Sequence, residues 1–226
     1  MTRILCAAEP RGCGPALDRL LEVAAQRDVD GLALVGYLAD GATYRDLFRT
    51  LAGAGRPTYW VPGPGDAPLS TYLREAQNIE VAYPFVRGVH GTATFAPGEH
   101  LLVAGLGGEI SDDPDAPRDE VRRLRYPRWE AEYRLKLVGD LGEHERVLLF
   151  WTRPAHKGLG ALGSEALAEL VGTYRPRLVV CAGEPGTAML GRSLVVAPGP
   201  LREGHYAVAD VRTREAELED LAPAVG

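Results

Sequence analysis

The chain has 226 residues, of which 46% are hydrophobic and 25% charged, and a net charge of −6 at neutral pH. That composition is of a soluble globular protein, long enough for one large domain or two small ones. No basic stretch is dense enough to follow a phosphate backbone, and no apolar run has membrane-spanning length. Nucleic-acid partners, a membrane span and a secretory leader are therefore not expected.

Cys6, Cys13 and Cys181 are odd in number and form no C-x-x-C pair. This fits reduced thiols in a cytoplasm, with Cys6 and Cys181 buried in strands. Lys136 and Lys157 are the only lysines among 25 basic residues, as a GC-rich bacterial genome would encode.

In chain order, residues 3–8 (RILCAA) read as a strand. Residues 16–26 place Leu17, Leu20, Leu21 and Ala24 at the i, i+3, i+4, i+7 spacing of an amphipathic helix. A strand at 31–36, a helix at 44–54 and a strand at 58–61 continue the alternation, which predicts a parallel sheet covered by helices. A helix at 69–76 follows. Residues 89–95 and 101–106 read as a hairpin closed over Ala96-Pro97-Gly98. The acidic stretch 108–119 reads as solvated surface, without the alternation and glycine of a calcium loop. A long helix is expected at 128–141, with Tyr126, Trp129 and Tyr133 on one face as core or as a partner anchor. A strand at 147–151, a helix at 164–174 capped by Ser164, and a strand at 178–182 return to alternation. Residues 193–197 and 205–211 are expected to close the chain as antiparallel strands. No linker or repeat interrupts it, so a single domain over residues 1–226 with two packed sheets is the expectation.

Five loops leave the carboxyl ends of these strands, where open α/β sheets gather ligands. They are Glu9-Pro10-Arg11-Gly12, Gly36-Tyr37-Leu38, Gly63-Pro64-Gly65-Asp66, Trp151-Thr152-Arg153-Pro154 and Gly183-Glu184-Pro185-Gly186. In order and spacing they resemble the D-x-H-G, G-D, G-N-H-D, H-x-P and G-H-x-H motifs of the calcineurin-like metallophosphoesterase superfamily. The tail, Val195 to Pro200 followed by Gly204-His205-Tyr206, is similar to that family's ending. The resemblance spans nearly the whole chain. It implies an α/β fold: a four-layer α/β/β/α sandwich of two mixed β-sheets.

The resemblance also implies two divalent metals, about 3.5–4 Å apart, stabilising both oxygens of an in-line phosphoryl transfer. Here the residues depart from the pattern. Glu9 stands at the first Asp, Arg11 at the first His and Tyr37 at the bridging Asp. Pro64 stands at the ligand Asn and Gly65 at the His expected to protonate the leaving group, while Asp66 is kept. Thr152 replaces the next His, and Glu184 and Gly186 the last pair.

The reading that follows is a non-catalytic or repurposed pocket for a small anionic or phosphate-containing ligand. Its lining would be Glu9, Arg11, Tyr37, Asp66, Arg153, His156, Lys157 and Glu184, with Arg11 and Arg153 gripping phosphate. The plainer possibility is that Arg11–Glu9 and Arg153–Glu184 are ion pairs filling the space of the metals. No cofactor is expected on this reading. An alternative is a hydrolase with one Mg²⁺ or Mn²⁺ on Glu9, Asp66 and Glu184, and with Asp66 or His156 as catalytic candidates. A third is a structural or interaction subunit, which leaves a homo-oligomer open. His90, His100, His144 and His205 share no spacing and read as scattered strand-end or surface residues.

Overall fold

The computed structural model describes residues 2–12, 14–39, 43–66, 69–98 and 101–221, so Cys13 and His100 lie outside the described residues. The first half runs β1 (Arg3–Ala8), α1 (Pro15–Gln26), β2 (Gly31–Val35), α2 (Tyr44–Gly53), β3 (Thr58–Val61), α3 (Leu69–Ala82) and β4 (Val86–Gly88). The middle runs β5 (Thr92–Phe95), β6 (Leu101–Leu106), β7 (Glu109–Ser111), β8 (Arg125–Pro127) and α4 (Arg128–Asp140). The remainder is β9 (Glu145–Phe150), α5 (Glu165–Tyr174), β10 (Leu178–Cys181), β11 (Gly186–Leu190), β12 (Ser193–Ala197), β13 (His205–Asp210) and β14 (Glu215–Asp220).

Two six-stranded mixed sheets result, ordered β14-β13-β1-β2-β3-β4 and β11-β12-β10-β9-β6-β5, with a small β7–β8 ribbon beside them. The period-2 alternation of each strand sorts its side chains between layers. In β1, Leu5 and Ala7 face α1 and α2, while Ile4, Cys6 and Ala8 face the second sheet. In β9, Val147 and Leu149 face the first sheet, while Leu148 and Phe150 face α4 and α5. The layers are therefore helices, sheet, sheet, helices, as expected. Cys6 and Cys181 are buried free thiols, also as expected. Among the described residues, no helix is long and apolar enough to cross a membrane.

Several expectations are corrected. Residues 193–197 and 205–211 are strands with antiparallel neighbours, as expected, but they lie in different sheets: β12 joins β10 and β11 in the second, and β13 joins β1 and β14 in the first. Residues 89–95 are not one strand, because the chain crosses between sheets at His90-Gly91, where Gly91 takes φ +67°. Tyr126 is not on the long helix. It lies buried in β8, and Pro127 stands at the N-cap of α4. Nor is the acidic loop wholly solvated surface, since Asp112 accepts from the Ser164 hydroxyl (2.6 Å) and from the backbone of Glu165 (3.0 Å) and Ala166 (2.9 Å), capping α5. These bonds hold its pKa below the usual carboxylate value against the opposing effect of burial. Ser164 is the N-cap residue expected, accepting from Leu167 N–H.

His90 is a corrected surface residue. Its Nδ1 accepts from Gly107 N–H at 3.0 Å, and its Nε2 lies 3.0 Å from the Tyr126 hydroxyl. Burial, aided by Arg134 and opposed by Glu120, lowers its pKa from 6.5 to about 4. The unfolded chain thus takes up a proton that the folded chain refuses, so stability falls as pH drops below 6.5. Urea midpoints recorded between about pH 6.5 and 5 are expected to fall with pH for the native chain, and His90→Gln is expected to flatten that slope.

Candidate functional site

The carboxyl ends of β1, β2, β3, β9 and β10 meet at one edge of the two sheets. There the first two loops extend the β1–β2 pairing. Glu9 N–H donates to Val35 (2.9 Å), Arg11 N–H to Tyr37 (2.9 Å) and Gly12 N–H to Leu38 (2.6 Å). Glu9 and Arg11 both take φ 50° and Tyr37 takes φ 39°, left-handed values that L side chains rarely adopt. Each costs about 1–3 kcal/mol, and such strain gathers at functional sites and ligand clamps.

The side chains of these loops form a stacked cluster. The Arg11 guanidinium lies 4.8 Å above the centre of the Tyr37 ring and pairs with Glu9 at 3.3 Å. Tyr37 meets Trp151 edge to face, with centroids 5.7 Å apart. Glycine makes room for both rings. A Cβ on Gly36 would lie 1.9 Å from Trp151 Cδ1, and one on Gly65 would lie 2.1 Å from Tyr37 Cε1. Burial raises the Tyr37 pKa, with Glu9 adding to it and Arg11 opposing, so the phenol is neutral.

Asp66 does not face this cluster. It is 1% exposed and accepts four hydrogen bonds, from the backbone of Leu38 (2.9 Å), Ala39 (3.2 Å) and Gly63 (2.7 Å) and from the Tyr44 hydroxyl (2.7 Å). Burial raises its pKa against the pull of all four donors. Its observed work is to tie the loops after β2 and β3 to α2. Thr152 is similarly occupied: its hydroxyl accepts from Ile110 N–H (2.8 Å) and donates to Gly108 C=O (3.2 Å), fastening β7 to the cleft.

A cavity of ≈480 Å³ opens beside the cluster. Its walls include Glu9, Ile110, Trp151, Arg153, Leu162 and Ala182. Arg153 Nε donates to Leu162 C=O at 2.9 Å, but among the described residues its buried Nη1 has no acceptor, nor has Trp151 Nε1. Of the residues expected to line one pocket, Glu9 and Arg153 share this cavity. His156 and Lys157 line a different one with Glu165, and His156 Nδ1 caps the turn by accepting from Gly158 N–H. Glu184 is exposed, outside the walls of either cavity, and the Arg153–Glu184 ion pair is not formed. The Arg11–Glu9 pair is formed. Trp151, placed at the head of the fourth loop but given no role by the motif comparison, is central. Its signal was a large aromatic opening a loop otherwise placed by resemblance.

Residues 40–221 match the family described as metallophosphoesterase, calcineurin superfamily. The chain belongs to that superfamily. A relative of known structure, TT1561 of Thermus thermophilus, is 43% identical, with a TM-score of 0.91 over 98% of this chain and 99% of that one. At 10% identity, the NAD nucleotidase of Haemophilus influenzae (TM-score 0.58, 96% of this chain and 55% of that one) shares the fold alone. So does an archaeal phosphodiesterase at 8% identity (TM-score 0.53, 97% and 99%). No protein of curated function matches the sequence.

Within this metallophosphoesterase fold, Asp66→Ala would remove the acceptor of the Leu38, Ala39 and Gly63 backbone donors. The expected loss of folding stability is about 3 kcal/mol or more, read as a lower urea midpoint at unchanged slope.

Proposed function

We propose that this chain is a metallophosphoesterase-fold protein whose cleft binds a small anionic, phosphate-containing ligand instead of running two-metal hydrolysis. The observation that carries the reading is Arg153, a cation in the cavity wall whose Nη1 has no acceptor among the described residues. A guanidinium satisfies phosphate or carboxylate with paired N–H bonds, and Trp151 Nε1 is a second donor there with no acceptor among the described residues. Ile110, Trp151, Leu162 and Ala182 add an apolar wall suited to a base or acyl group.

The donor set suits a pair of divalent ions poorly. Glu9 is engaged by Arg11, Tyr37 is a neutral phenol under a guanidinium, and both oxygens of Asp66 are bonded within the fold. The one-metal alternative, with Mg²⁺ or Mn²⁺ on Glu9, Asp66 and Glu184, needs three carboxylates that converge. Among the described residues no three His, Cys, Asp or Glu side chains are grouped to hold an ion. No catalytic step is therefore assigned to Asp66 or His156. A cytoplasmic location belongs to the same proposal, supported by the free thiols of Cys6 and Cys181.

Titration calorimetry with inorganic phosphate and with a nucleoside monophosphate tests this. Binding is expected for at least one probe, and Arg153→Gln is expected to weaken it about 10- to 100-fold, the worth of a charge-assisted hydrogen bond. Absence of binding by both, or binding untouched by Arg153→Gln, would overturn the assignment.

A further inference from the structure

One face of α4 is poorly suited to the water it meets. Trp129, Tyr133 and Leu137, each four residues from the next, are 56%, 74% and 49% exposed and form one apolar row. Beside it runs a second row at the same spacing: Arg128, Glu132, Lys136 and Asp140. A hollow of ≈640 Å³ borders the Tyr133–Leu137 end of this row, its other walls mostly charged (Arg118, Glu130, Arg134, Lys136 and Asp140). A contiguous exposed aromatic row marks an interface, because large rings dominate the buried centres of complexes.

We propose that this face is the two-fold interface of a homodimer, with α4 of one protomer packed antiparallel on α4 of its partner. The order of charges favours a second copy as the occupant. Within one chain Arg128 pairs with Glu132 at 3.0 Å and with Glu169. These exposed pairs, worth little in water, would exchange for intersubunit ones. Along the helix the second row reads plus, minus, plus, minus, and a two-fold axis reverses it onto itself. Arg128 then faces Asp140 of the partner subunit, and Glu132 faces Lys136 of the partner subunit, each pair occurring twice. The apolar row is self-complementary about the same axis. Tyr133 meets Tyr133 of the partner subunit, and Trp129 of the partner subunit meets Leu137 at the hollow. The centres of the two rows differ by one residue, about 1.5 Å along the helix, so one axis serves both.

A 13-residue helix is only about 20 Å long, and one such contact lies below the roughly 800 Å² per partner of a standard interface. The dimer is therefore expected to be of micromolar strength. Sedimentation of the purified full chain, from micromolar to sub-millimolar concentration, should show a monomer–dimer equilibrium. Tyr133→Glu would set two carboxylates on the axis and weaken association at least ~30-fold, with circular dichroism unchanged because the side chain is exposed. Lys136→Glu alone should also weaken it. The double swap Glu132→Lys with Lys136→Glu should recover it, since both cross-pairs reverse together. A monomer at every concentration, as a heterologous partner or none would give, overturns the proposal. So does a dimer that Tyr133→Glu leaves intact, or a double swap that recovers nothing.

Discussion

The positive charge of Arg11 lies beside this cleft, paired with Glu9 in its wall. A guanidinium cannot shed its proton at accessible pH, so whatever occupies the space beside it must be anionic, neutral or aromatic. Two unit charges about 4 Å apart interact by about 4 kcal/mol at an effective dielectric constant of 20, and a divalent ion doubles that. Repulsion of that size would offset much of what a few carboxylates could offer a metal. The cleft instead carries a stack of Arg11 on Tyr37 against Trp151, with Glu9 balancing the charge. Cation–π attraction, ion pairing and ring contact all favour the same geometry.

The backbone around that stack is that of the superfamily, and this chain's own side chains fasten it. Gly36 and Gly65 give two rings the space that a Cβ would take. Asp66 has become the fastening of the loops after β2 and β3, with four donors converging on it. Thr152 does the same for the β7 segment. The strained turns at Glu9, Arg11 and Tyr37 persist because paired backbone bonds between the first two loops hold them. The fold fixes where the loops lie, while the chemistry of a site rests on the side chains they carry.

The buried parallel strands were legible because runs such as RILCAA and the VLLF end of β9 admit few other structures. The edge strands were not. GTAML in β11 alternates half-buried and exposed residues, and EAELED in β14 reads as acidic surface until β13 supplies its partner. Motif order located the loops correctly, yet it could not show which way a side chain faced. Asp66 matches a ligand position by sequence, and only the fold reveals that backbone donors from three loop residues claim it. His156 and Lys157 lie close in sequence to Arg153 but line a separate cavity, because the chain turns back at Pro154 to pair with Ser164. His90 looked unremarkable because its partners, Gly107 and Tyr126, are distant in sequence.

The central claim is electrostatic: with Arg11 paired to Glu9 beside it, the cleft rejects a bridged pair of divalent ions. Metal-free protein equilibrated with excess Mn²⁺, desalted, and examined by elemental analysis and electron paramagnetic resonance addresses it directly. The account predicts well under one ion per chain and no spectrum from coupled ions. Two retained ions per chain with an exchange-coupled signal would contradict it.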